Sequence, residues 1–88
     1  MKIKEGFVLR EIADSIVVVP TGALANEFKG MIHLNATAKF IWELLKEDRT
    51  VEQVADKLME EYGVELERAM KTAQDFTQKL KDASLLEE

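Results

Sequence analysis

Apolar residues change their spacing once along this chain, at Asn35. Before it they follow the two-residue alternation of strands, and after it the 3.6-residue period of helices. The switch is abrupt: in MIHLNATAKFIWELL, residues 31 to 45, a short apolar strand runs into a helix with only Asn35 between them. One residue suffices for that job. An N-cap takes extended dihedrals while its side-chain oxygen accepts an N–H from the first helical turn. A strand-rich front and a helical rear in 88 residues leave room for a single α+β domain over 1–88, below the usual domain size of about 100–150 residues.

Three strands are predicted in the front, at about 7–12, 16–20 and 31–34. GFVLREI alternates, with Phe7 and Leu9 on one face and Val8 and Arg10 on the other. Ala13-Asp14-Ser15 is a turn, because Asp and Ser bond their own backbone there. Ile16-Val17-Val18-Val19 is β-branched throughout, and Pro20, lacking an N–H, closes that strand. ALANEFKG, residues 23–30, reads as a helical turn or a wide loop. Local connections between the strands give an antiparallel meander.

The rear predicts helices at about 36–46, 51–62 and 65–82. Ala38, Ile41, Trp42 and Leu45 make the stripe of the first. The second opens on the capping box Thr50-Val51-Glu52-Gln53, carries Val51, Val54, Ala55, Leu58 and Tyr62, and ends at Gly63, suited to a left-handed C-cap. The third sustains Leu66, Ala69, Met70, Ala73, Phe76, Thr77 and Leu80 over four turns.

The search for chemistry is negative. Cysteine is absent, which removes disulfides, thiolate metal sites and Cys nucleophiles, and fits a reducing compartment. His33 is the only histidine, too few for a zinc cluster. Glu52, Asp56 and Glu60 form an i, i+4, i+8 ladder opposite the apolar stripe, which makes them a solvated face. Gly6, Gly22, Gly30 and Gly63 fit no phosphate loop, and Ser15 and Ser84 no nucleophile elbow. We expect no enzyme, no cofactor and no metal. No apolar run approaches a membrane span and MKIKEGFVLREIAD has no signal-peptide core, so the expected location is cytoplasmic. Residues 1–42 carry five basic and four acidic side chains, residues 43–88 seven and thirteen. An acidic helical half repels phosphate backbones, so nucleic acid is not an expected partner.

A particular set of residues carries a resemblance. Leu34-Asn35, Thr37, Ile41-Trp42-Glu43-Leu44-Leu45, Arg49-Thr50-Val51-Glu52-Gln53, Tyr62-Gly63-Val64 and Leu85-Leu86 occur in an order and spacing similar to those of the PqqD-like proteins. These are peptide chaperones first met in pyrroloquinoline quinone biosynthesis, and leader-recognition elements of ribosomally made, modified peptides. VVVPTG and FKGMIHLN extend the resemblance over nearly the whole chain. Three positions depart from it: Ala36 where an acidic residue is usual, and Ala38 and Ser84 where glycine is common.

The resemblance implies a winged-helix-like domain, a three-stranded antiparallel sheet followed by three helices. It also implies that a leader peptide adds as a fourth strand beside the third, in a groove walled by the third helix. The residues implied at that site are Met31, Ile32, His33, Leu34, Met70, Ala73, Phe76, Thr77 and Leu80. Met31 and His33 share one strand face, Ile32 and Leu34 the other. The implied partners are a precursor peptide and a modifying enzyme, a radical S-adenosylmethionine protein by family analogy, with this chain a monomer or weak homodimer. Edge strands and apolar stripes also complete the cores of many small α+β domains, so pattern alone does not assign peptide binding. Two other functions fit the architecture: a winged-helix DNA-binding regulator reading with the third helix, and an oligomerising scaffold in which the third strand or the apolar helix ends pair between copies.

Overall fold

The computed structural model describes residues 1–22 and 32–87. In chain order the elements are β1 (Lys2–Ile3), β2 (Phe7–Ile12), β3 (Ser15–Pro20), β4 (Ile32–Leu34), α1 (Ala36–Leu44), α2 (Val51–Tyr62), α3 (Leu66–Asp82) and β5 (Leu86–Glu87). A three-stranded antiparallel sheet followed by three helices is thus the main architecture. ALANEFKG and Met31 lie outside the described residues. Contacts divide the chain into two compact units, Lys4–Phe40 on one side and Met1–Ile3 with Ile41–Glu88 on the other.

The sheet unit is ordered β2-β3-β4. Its first hairpin pairs Phe7 with Pro20 through to Ile12 with Ser15, leaving Ala13 and Asp14 as a two-residue turn. Ala13 sits at φ 55, in the left-handed region that a two-residue hairpin demands of its turn. At the open end, the Thr21 N–H and hydroxyl both donate to the Gly6 carbonyl, at 2.7 and 3.1 Å. β4 pairs back on β3 through Ile16–Leu34, Val17–His33 and Val18–Ile32. Asn35 then ends the strand and caps α1: its side-chain oxygen accepts the Ala38 N–H at 2.8 Å.

The helical unit buries Ile41, Trp42, Leu45, Val54, Leu58 and Leu85. Thr50 builds the full capping box with Gln53, at 3.1 and 2.9 Å, and Gly63 closes α2 at φ 64. α1 ends at Leu44, two residues before the expected 46, and continues as a tightening turn in which the Leu45 N–H is shared between Ile41 and Trp42 carbonyls. The Arg49 Nε donates to the Leu44 carbonyl at 2.9 Å and satisfies that helix end. β1 and β5, not foreseen, pair as a two-stranded ribbon, Ile3 opposite Leu86. The Ile3 N–H also donates to the Leu45 carbonyl, and the Arg49 N–H to that of Met1. The Met1 ammonium bonds Asp48 at 2.6 Å, which holds that carboxyl below the usual carboxylate range.

Two stripe residues are not in the core. Tyr62 and Leu66 are 45% and 55% exposed. They stand at the last position of α2 and the first of α3, on either side of the turn at Gly63.

Candidate functional site

β4 has β3 on one flank, and among the described residues no strand pairs with the other. In an antiparallel ladder the N–H and C=O of one residue face the same neighbour, and successive residues alternate. The outward flank of β4 therefore presents the backbone groups of His33, or those of both Ile32 and Leu34. Side chains alternate too. Leu34 is buried and Ile32 half-buried, on the face of Ile16 and Val18, whereas His33 is exposed opposite buried Val17. Met31 lies outside the described residues.

β2 is the sheet's other edge. Its last three residues, Arg10, Glu11 and Ile12, are all exposed, and Glu11 pairs with Lys39. Charges along an edge discourage strand addition, although Val8 and Ile12 leave some apolar surface exposed on β2. β4 is the better acceptor.

On α3, Ala73, Thr77 and Leu80 are buried, while Met70 and Phe76 are half-buried and keep apolar surface accessible. The Thr77 hydroxyl donates to the Gln74 carbonyl at 3.2 Å, so it is already satisfied. A shallow groove of the helical unit is lined by Met1, Thr50, Val51, Gln74, Thr77, Gln78 and Lys81. Of the five expected helix residues, Thr77 alone lines it.

The described residues hold no cluster of three His, Cys, Asp or Glu side chains that could grip a metal. Among the described residues no buried side-chain polar atom lacks a partner, and no helix is long and apolar enough to cross a membrane.

A family model described as Coenzyme PQQ synthesis protein D (PqqD) matches residues 9–86. The chain belongs to the PqqD family. Among solved structures, this PqqD-family chain is similar to TbiB1, solved in complex with the TbiA(beta) leader peptide. The TM-score is 0.78 at 29% identity, covering 99% of this chain and 95% of that one. It also shares the fold of lasso peptide synthetase B1, solved complexed with the leader peptide. There the TM-score is 0.74 at 20% identity, covering 96% and 93%. Comparison with curated proteins gives no match.

Sequence reasoning missed the alignment of His33 with Val17 and Arg10 across the sheet, because cross-strand register depends on turn geometry that no residue type states outright. It also missed Arg49 as the cap of α1. The only signal for that was a basic residue a few positions beyond the helix end.

Proposed function

We propose that this chain is a non-catalytic peptide chaperone that takes the leader of a ribosomally made precursor peptide as a fourth strand beside β4. It then presents the remainder to a modifying enzyme, for which the family offers a radical S-adenosylmethionine protein. The observation that carries the reading is the position of β4: last in the sheet, short, and alternating between buried and exposed side chains. Membership of the PqqD family supports it, as does the leader peptide held by TbiB1.

Magnitudes divide the labour. A three-residue strand offers few outward backbone bonds, each worth about 0.5–1.5 kcal/mol net. Association costs at least about 4 kcal/mol in lost translation and rotation. Backbone pairing therefore sets register, and affinity comes from apolar leader side chains, each contributing roughly 1.5–3 kcal/mol when fully buried. On this reading Ile32, His33 and Leu34 supply the strand contact. Within the helical unit, Met70 and Phe76 keep accessible apolar surface on α3, backed by buried Ala73, Thr77 and Leu80. Bond chemistry is left to the enzyme, and the chain works in the cytoplasm as a monomer or weak homodimer, raising the effective concentration of peptide at its partner.

The test modifies the peptide and leaves the protein untouched. A leader-like peptide from the precursor encoded beside this chain is N-methylated at alternate residues, and each version is titrated against the labelled protein by NMR. Strand addition requires that one parity of methylation weakens binding about tenfold or more while the other is tolerated, since only one parity points its N–H at β4. Equal tolerance of both parities would overturn the proposal.

A further inference from the structure

The register of the sheet places side chains in rows that run across it: Arg10–Val17–His33, Leu9–Val18–Ile32 and Glu11–Ile16–Leu34. Resting on the strand-addition reading above, we propose that the peptide residue opposite His33 carries a carboxylate and that its two neighbours are apolar. Residues opposite one another in a sheet share a face. A strand beside β4 extends each row by one side chain. The residue opposite His33 joins the face of Val17 and Arg10, and the residues before and after it join the face of Ile32 and Leu34.

The two faces differ in chemistry. On the first, the three paired strands contribute Val8, Arg10, Ile12, Ser15, Val17, Val19 and His33, whose ionisable members, Arg10 and His33, are both bases. No acid of these strands opposes a carboxylate there. Neutral or charged, an imidazole offers an N–H donor to a carboxylate. Arg10 lies three strand spacings from an added peptide, about 14 Å, beyond the screening length at physiological salt. Discrimination at this position thus falls to His33. On the second face, Leu34 is buried and Ile32 half-buried. The one ionisable side chain of the paired strands there, Glu11, stands on the far strand in a pair with Lys39, so a charge placed beside Ile32 and Leu34 is desolvated with no partner from these strands at hand. The segment recognised therefore reads apolar, acidic, apolar.

A display library of random twelve-residue peptides, selected on the full chain and on His33→Glu, tests this. The expected result is Asp or Glu between two apolar residues for the wild type, and Lys or Arg at that position for His33→Glu. Synthetic peptides differing only by Glu or Lys there should differ about two- to fivefold in Kd, with the sign reversed between the two proteins. His33→Lys, which keeps a base, should retain the acidic preference and stands in if His33→Glu fails to fold. Apolar alternation with an indifferent central position in every protein would overturn this inference and leave strand addition standing. No enrichment on the wild type would overturn both.

Discussion

Ser84 illustrates how much one residue's dihedrals can carry. α3 ends in a Schellman motif: the Leu85 N–H donates to the Leu80 carbonyl at 2.8 Å, and the Ser84 N–H to that of Lys81 at 2.9 Å. Leu80 and Leu85, the pair that accompanies such a motif, are both buried. The motif requires a left-handed residue between them, and Ser84 takes φ 62. Glycine, having no Cβ, takes these dihedrals without strain. A side chain in this region costs roughly 1–2 kcal/mol, partly offset by the entropy that glycine loses on folding. Ser84→Gly should stabilise the protein by about 0.5–1 kcal/mol, seen as a higher urea midpoint with unchanged slope.

At the scale of elements, alternation in β4 sets two adjacent residues to opposite tasks. Leu34 is buried and His33 exposed. Leu34→Ala should cost about 2–4 kcal/mol of stability, as buried Leu truncations do. His33→Ala should stay within about 0.5 kcal/mol, as surface changes do, and yet alter peptide preference. Chemical denaturation of both variants checks the pair, and equal losses would mean that the strand's faces are misassigned. The helices follow the same logic. The exposed positions of α3 include Glu67, Arg68, Lys71, Gln74, Asp75, Gln78 and Lys81, a mixed set on a solvated face.

For the whole molecule, charge decides between architectures that look alike. The chain carries a formal net charge of −5, and a recognition helix of mixed charge lacks the basic stripe that phosphate contacts need. Mobility-shift assays with mixed-sequence duplex DNA at low salt should show no complex. A shift that weakens steeply with added salt would restore the DNA-binding alternative.

The sequence by itself determined the three strands of the main sheet, the three helices and the caps that bound them, because the forces that set these are local. Asn35, Thr50 and Gly63 cap helices through bonds spanning three or four residues, and Ile16 to Val19 favour extended backbone by their own branching. Residue patterns similar to PqqD-like proteins likewise reached the family and its sheet-then-helices order. Tertiary structure alone decided what depends on distant partners. It paired Lys2–Ile3 with Leu86–Glu87, set the exposed ends at Tyr62 and Leu66, and divided the α3 stripe into buried Ala73 and Leu80 and accessible Met70 and Phe76. A period of 3.6 says which residues share a face, but not how far a neighbour covers it. The alignment of Arg10, Val17 and His33 belongs to the same class, since a slip of one residue in register would leave every local preference intact and send His33 to the other face.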